Sequence, residues 1–478
     1  MSWLARLPRS NVGAVAAGSA FFLAWLVFYS LSRYPGPGGQ VWFGDSVAFQ
    51  YQAISRSLGH SPGYPQYLAL TRAWVAVAPF GRVAEQVNFV SAFWATASLV
   101  VLFRLSRELG ASAMDAGTAC LVLGLSCTFF QQATEAEVYS LNTFWVLATL
   151  LCAERVLNRR DASLLPFAVV YGLSFGNHQT MILLAPALVL AFSIFRPELL
   201  RRPSTYGYAL LSVVLAVSQY AYTYTLFVDP TLEFRHHRVR SLSFEAFVQF
   251  STGAPYRKLM FGVPLRTVFS ERLPHLLRSA HAQNGWWIAM LGAVGLALDK
   301  NLCPARRVLL FGSFLTYMIW GLTYDIWDIA AFYTPLWAIL YLGIAASSQR
   351  IITRPTPRVV GLVLLALVSF YGAVVRRGHY RPPNERLALV TEYVNSVPPG
   401  SSFVPFQRGN SPFSTLFRYL EKTEDLGRMR LVWSVQKCVA DLYFVESSGP
   451  FMHGKNYESE PVKYLPALGE ELRRMRCD

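Results

Sequence analysis

The chain has 478 residues, 53% of them hydrophobic and only 15% charged, with a mean hydropathy of +0.31. A soluble chain of this size does not carry that composition, so a bilayer is the solvent in which it folds. The formal net charge is +15, yet no basic patch interleaved with aromatics appears, which excludes nucleic acid as a partner.

The first long apolar run, about 12 to 31, follows Arg6 and Arg9 and exceeds a signal-peptide core in length. It reads as a retained anchor. At about 20 apolar residues per crossing, further helices are expected near 87–106, 112–130, 138–153, 163–176, 179–195, 206–227, 285–298, 309–323, 329–347 and 359–375. That makes about eleven spans. With a cytoplasmic N-terminus, inside segments hold Arg104 and Arg107, Arg155 and Arg159, Arg196 and Arg201, Arg306 and Arg307, and Arg350, Arg354 and Arg358. The short outside turns 131–137, 177–178 and 324–328 hold neither Lys nor Arg, the asymmetry that sets orientation. Long outside loops are expected at 32–86 and 228–284; Arg376, Arg377 and Arg381 at the outer end of the last span run against the pattern.

In the first outside loop, Val47, Tyr51, Ile54 and Leu58 recur at helical spacing, so an interfacial helix is expected with Asp45 at its N-terminus. An N-cap role would account for a lone Asp there. The turn before the fourth span holds Glu135 and Glu137; Thr134 and Glu137 have capping-box spacing, whereas Glu135 has no such structural role. Asn177, His178 and Gln179 form a polar knot between two apolar runs, suited either to satisfying helix ends or to holding sugar hydroxyls or phosphate. Asp325 and Asp328 stand at i and i+3, on one helical face. The loop 228–284 adds His236, His237, Arg238, Arg240, Arg257 and Lys258. Such a basic set either meets lipid headgroups or recognises phosphate. Adjacent histidines do not make a metal pair, and no metal site is expected.

Cys120, Cys127 and Cys152 lie in apolar runs and Cys303 in a basic loop, all consistent with packing. Cys438 and Cys477 could pair if the tail meets an oxidising compartment. The tail divides off by composition, giving a multi-span domain over 1–378 and a small soluble α/β domain over 379–478, with strand-like runs at 402–406, 430–434 and 439–445.

The combination Phe43-Gly-Asp45-Ser46, Ser61-Pro-Gly-Tyr64-Pro65, Ala136-Glu137-Val-Tyr-Ser-Leu-Asn142, Gly172 to Thr180 and Asp328 to Pro335 resembles the motifs of the transmembrane protein 260 family. The resemblance covers most of the membrane part. It implies a mostly α, polytopic GT-C fold, and an enzyme that moves a sugar, such as mannose, from a polyprenyl-phosphate carrier to a hydroxyl. The acceptor is a protein Ser/Thr or a glycolipid such as lipid A or a lipid-linked glycan, outside the cytoplasm. The family's catalytic acid maps onto Asp45. Where relatives typically carry an acidic residue after the Asp-Ser pair, this chain has Val47-Ala48-Phe49.

On that reading Asp45 is the general base, attack inverts the anomeric carbon, and polyprenyl phosphate departs. Glu135, Glu137, Asn177, His178, Asp325, Asp328, His60 and Tyr64 surround the sugar, while Arg56, His236, His237, Arg238, Arg240, Arg257 and Lys258 meet the phosphate. Neither a Walker A loop nor a Rossmann fingerprint is present, nor an Asp-x-Asp pair in the first loop, so no cofactor and no metal are expected. A transporter or flippase is the rival reading, but it calls for midplane polar groups on repeated, broken helices, and here they lie at one membrane edge. The Arg-rich composition points to a bacterial inner membrane, with the active site facing the periplasm or exterior.

Overall fold

The computed structural model describes residues 9–34, 36–39, 43–78, 80–159, 161–235, 241–298, 303–326, 328–351 and 355–380. In the tail it describes 392, 395–398, 402–403, 416, 418–420, 422–423, 430–431, 442–445, 459–465 and 470–475.

Two helices, Val83–Glu108 and Tyr139–Asn158, pack along one another through the middle of a helical bundle. Both are long and apolar enough to cross a membrane, as is the continuous pair of helices over Pro203–Val228. Their small hydroxylic residues turn inward: Ser98 Oγ donates to Ser140 O at 3.1 Å, and Thr96 Oγ1 to Ala92 O at 2.9 Å. Serine and threonine satisfy themselves this way where no water reaches and allow two backbones to approach closely. Large aromatics complete the core, with Tyr29, Tyr67, Tyr317, Tyr333 and Trp337 almost wholly buried.

The expected single span at 112–130 is instead a broken one. Helix Ala113–Gly124 stops and Cys127–Thr134 leaves at 71°, with Ser126 Oγ accepting nothing from the new helix and donating back to Leu123 O at 2.7 Å. The expected helices at 163–176 and 179–195 are short too, at Leu165–Ser174 and at Ala185–Phe195, the latter entered through a 3-10 turn, Gln179–Leu184. By length and apolarity, therefore, three described helices can span alone, or four with the bent pair, against the eleven expected.

The two ends of the bundle differ in chemistry. At the end where Val83–Glu108 and Tyr139–Asn158 finish, Arg155 and Arg159 pair with Glu108 at 3.0 and 2.9 Å, and Arg306 pairs with Glu154 at 2.6 Å. The end where those helices begin carries the loops 32–82 and 229–264 and the turns holding Glu135, His178 and Asp328. A parallel two-residue ladder, Ser57–Leu58 with Phe234–Arg235, ties the two long loops together.

The described tail strands form a mixed sheet. Strand Ser402–Phe403 lies parallel between Arg430–Leu431 and Leu442–Val445, and Glu470–Met475 runs antiparallel between Leu442–Val445 and Ser459–Leu465. Tail residues meet the loop end of the bundle: Tyr419 Oη accepts from Ala84 N–H at 3.0 Å, and Lys422 pairs with Glu233 at 2.8 Å. Cys438 and Cys477 lie outside the described residues; Cys120, Cys127, Cys152 and Cys303 form no disulfide with one another.

Candidate active site

Asp45 sits in the first turn of helix Phe43–Ile54, two residues inside its start rather than at the N-cap expected for it. The helix is fixed by Gln50, whose Oε1 accepts from Gly38 N–H at 2.7 Å while its Nε2 donates to Gly38 O and to Asn88 Oδ1, both at 3.1 Å. A buried amide satisfied at both ends holds the incoming loop against Val83–Glu108 and sets where Asp45 stands. Val47 and Tyr51 are buried in protein, not laid on lipid, and Leu58 lies beyond the helix in the short ladder. The Asp45 side chain is 42% exposed.

The turn that follows brings His60 back to it. His60 Nε2 is 3.5 Å from Asp45 Oδ1, and His60 Nδ1 is 2.8 Å from Ser61 O. Ser61–Pro62 is a cis peptide, and Ser61 Oγ donates to Phe250 O. Tyr64 then takes a left-handed conformation, φ 42° and ψ 56°, immediately before Pro65 opens helix Pro65–Val77. A bulky residue there is strained unless its surroundings over-determine it. Here they do: the Tyr64 ring is wedged between Phe49, His60 and His178, at centroid distances of 5.6, 5.3 and 5.8 Å.

His178 caps the 3-10 turn Gln179–Leu184. Its Nδ1 accepts from Thr180 N–H at 3.2 Å and lies 2.8 Å from Thr180 Oγ1, which in turn is 3.3 Å from Asn142 Nδ2. Because a backbone N–H can only donate, Nδ1 is unprotonated and the hydrogen of the neutral ring is on Nε2. Burial, and then the nearby His60, push the ring's pKa down to about 3, so His178 is a neutral N–H donor at physiological pH. It is walled by Tyr139 and Phe332, with ring centroids 5.4 and 5.5 Å away.

The far wall comes from 252–260 and 320–332. Gly253, at φ +66°, reverses the chain into the turn Ala254–Leu259, which carries Arg257; its Nη2 donates to Thr252 Oγ1 at 2.9 Å. Among the described residues Arg257 has no carboxylate partner within ion-pair distance. Asp325 is paired with Arg272 at 2.5 Å. Asp328 occupies the N-cap of Ile329–Phe332 but makes no cap bond, and its Oδ1 is buried without a partner. Burial first, then the Asp45 carboxylate, raise Asp328 to about 6.

These walls enclose a cavity of about 710 Å³ into which Asp45, His60, Tyr64, His178, Arg257, Asp325 and Asp328 all open. The remaining expected site residues do not line it. Glu135 packs against the Gly39 backbone beside Ser46, where a Cβ on Gly39 would strike its carboxylate. Glu137 is buried, with one carboxylate oxygen unpartnered; burial, then Asp45 and Glu135, push its pKa up. Its backbone is clasped by Ser91, at 3.1 and 3.2 Å. The capping box is not formed: Thr134 Oγ1 donates back to Phe130 O and Gln131 O, and Tyr139–Asn158 starts without a side-chain cap. Asn177 donates to Val138 O at 3.1 Å and is structural in that contact. Arg56 pairs with Asp229 on the loop surface, and Lys258 stands outside the lining. His236, His237, Arg238 and Arg240 lie outside the described residues. Sequence reasoning missed the aromatic lining of Tyr139, Tyr256, Trp320, Tyr324 and Phe332. Tyr139 and Phe332 were nonetheless inside motifs singled out for their acids.

Residues 45–200 match the model of the protein O-mannosyl-transferase TMEM260 N-terminal domain. The mouse protein O-mannosyl-transferase TMEM260 is 28% identical over 186 residues, 38% of this chain, and the match spans a quarter of that relative's length. In fold, the chain is similar to ArnT from Cupriavidus metallidurans bound to undecaprenyl phosphate, with a TM-score of 0.65 at 12% identity over 97% of this chain and 98% of that one. The apo form of ArnT matches at a TM-score of 0.60 and 13% identity over the same shares. The chain is thus a mostly helical membrane protein with the GT-C fold that ArnT displays, and over residues 45–200 it is similar to the N-terminal domain of the protein O-mannosyl-transferase TMEM260.

Proposed function

We propose that the protein transfers a sugar, a hexose such as mannose, from a polyprenyl-phosphate carrier to a hydroxyl acceptor on the extracytoplasmic face, the acceptor being protein Ser or Thr. The observation that carries this reading is the opening of the Asp45 carboxylate onto the same cavity as the guanidinium of Arg257, which has no carboxylate partner among the described residues. The likeness in fold to a protein that binds undecaprenyl phosphate supports the donor class.

In the proposed reaction the acceptor oxygen attacks the anomeric carbon as Asp45 takes its proton. The bond from that carbon to the phosphate oxygen breaks, its electron pair leaves with polyprenyl phosphate, and the configuration inverts. A positioned carboxylate contributes about 10²–10⁴-fold to such a step. Arg257 meets the departing phosphate by charge-assisted hydrogen bonds. The neutral Nε2–H of His178 and the buried Asp328 face the sugar, and the aromatic walls flank it.

The test uses purified protein in nanodiscs with undecaprenyl-phosphate mannose and Ser/Thr peptides, lipid A and lipid-linked glycan as parallel acceptors. Wild-type transfer to the peptide is expected, with Asp45→Asn about 10²–10⁴-fold slower. Equal rates for the two remove Asp45 as the base. Transfer by neither, with carrier-linked substrate moved across proteoliposomes, overturns the transferase reading in favour of a flippase.

A further inference from the structure

His60 approaches Asp45 with a constraint that its distance alone does not reveal. Its Nδ1 lies 2.8 Å from the Ser61 carbonyl, which can only accept, so Nδ1 carries a hydrogen in every protonation state of the ring. The only variable site on the imidazole is therefore Nε2, and that is the atom 3.5 Å from Asp45 Oδ1. If Asp45 is ionised and His60 neutral, a lone pair faces a carboxylate, and the pair attracts a proton between the two. The ring is held by its bond to Ser61 O. Gly63 N–H closes the turn onto His60 O at 3.0 Å, and the Tyr64 ring stands edge-on to the imidazole at 5.3 Å.

We propose that His60 is the positioning residue for Asp45 and the group that relieves it of its proton. This rests on the reading of Asp45 as general base. The acceptor O–H proton passes to an Asp45 carboxylate oxygen as the glycosidic bond forms and polyprenyl phosphate departs. From there it moves to His60 Nε2, leaving an imidazolium beside a restored carboxylate. The imidazolium then releases the proton to solvent through the open side of the cavity. No oxidant or further reactant is needed, since the proton leaving the hydroxyl balances the charge on the departing phosphate.

The surroundings agree with that assignment. Burial opposes a charge on His60, but the Asp45 carboxylate, the Ser61 carbonyl and Asp328 outweigh it, and the imidazole lies above its ordinary 6.5. Around it, Arg257 faces the cavity from its own turn, Asp325 is paired with Arg272, Tyr139 walls His178, and burial above all holds Tyr324 protonated. His178 is neutral, Glu137 and Asp328 are raised carboxyls, and Tyr64 is held protonated by burial and by Tyr256 and Asp45. Because the relay needs a neutral His60 at the moment of transfer, the rate rises with pH through the raised value of the imidazole.

Two variants separate relay from scaffolding. In His60→Asn the amide nitrogen stands where Nδ1 stood and preserves the donation to Ser61 O; in His60→Gln an amide reaches the Nε2 position. Neither can take a proton. In the transfer assay both are expected to move the acid limb of the kcat profile down by at least about one pH unit and to lower kcat about tenfold. The donor KM is expected to stay the same. Asp328→Asn, run alongside, is expected to lower that limb by less than either His60 variant does, because Asp328 is the weakest of the groups that raise the imidazole. Independently of activity, ¹⁵N-histidine spectra of the detergent-solubilised full chain should show His60 titrating above 6.5 in the wild type and falling back in Asp45→Asn. A limb that does not move in either His60 variant, while Asp45→Asn is inactive, overturns the relay and leaves the base. Identical His60 titration with and without Asp45 overturns it as well. Full transfer by Asp45→Asn removes the base and the relay together.

Discussion

Arg257 is the residue on which donor recognition turns. It projects from a short turn whose entry needs the positive φ of Gly253, and its one described side-chain bond is to a neutral hydroxyl, Thr252 Oγ1. By contrast Arg56 and Arg272 are already neutralised by Asp229 and Asp325. A guanidinium left without a carboxylate at the rim of a cavity suits a phosphate, which it can bind through two parallel N–H···O bonds. Hydrogen bonds to a charged group contribute about 1.5–3 kcal/mol. Arg257→Ala is therefore expected to raise the KM for undecaprenyl-phosphate mannose roughly 10- to 100-fold, with Arg257→Lys between the two, because a point charge keeps the attraction but not the fork. Steady-state kinetics against donor concentration check this, and an unchanged KM in Arg257→Ala would place the phosphate elsewhere.

At the scale of elements, the closest approach in the bundle is made by glycine. Helices Trp286–Leu298 and Thr334–Ile351 cross so that a Cβ on Gly292 would strike Leu340 O, and one on Gly343 would strike Gly292 O. Both obstacles are backbone, which cannot swing aside. Small residues at such a crossing let van der Waals contact and carbonyl dipoles do what the hydrophobic effect cannot do in lipid. Gly343→Val is expected to lower stability by about 1–3 kcal/mol through overpacking. Gly207→Ala, in an open position on helix Pro203–Ser218, is expected to be neutral or slightly stabilising. Thermal unfolding in detergent compares the two, and equal melting temperatures would mean that the crossing relaxes without cost. Neither glycine stood out in the sequence, because hydropathy registers how apolar a stretch is and not where two backbones meet. The same blindness hid the break in the 112–130 run, where the chain turns through 71° without losing apolarity. What the sequence did show was polarity out of place: Asp45, His60, His178, Asp325 and Asp328 each interrupt or border apolar runs, and all of them reach one cavity. Glu135, Glu137 and Asn177 interrupt apolar runs just as plainly, yet none of the three lines that cavity, a distinction that only three-dimensional neighbours make. The aromatic walls were lost in a chain that is 14% Phe, Trp and Tyr.

Seen whole, the molecule keeps its charge at both ends and uses it differently at each. At the loop end, carboxylates and imidazoles gather around a cavity, Asp328 Oδ1 among them buried without a partner among the described residues, the condition under which polar groups can act on a substrate. At the opposite end, charges are consumed by one another. Glu154, with only 3% of its side chain exposed, pairs with Arg306 at 2.6 Å and accepts from Asn158 Nδ2 at 2.7 Å, while Arg306 also reaches Glu108 O at 3.0 Å. Arg155 and Arg159 close on the Glu108 side chain from the neighbouring helix. This network fastens the ends of Val83–Glu108 and Tyr139–Asn158 to the start of Pro304–Thr323. Removing one partner of a buried pair leaves the other charged and unmatched, at a cost of about 3–5 kcal/mol, whereas replacing both with apolar groups is often neutral. Glu154→Ala is accordingly expected to lower the unfolding free energy by about that amount, and Glu154→Met with Arg306→Met to recover most of it. Glu154 lies about 22 Å along its helix from Tyr139 at 1.5 Å per residue, so kcat/KM at a temperature where both variants stay folded should match the wild type. Loss of activity in the apolar double variant at full stability would show instead that the network sets the pocket's geometry through more than the stability of the bundle.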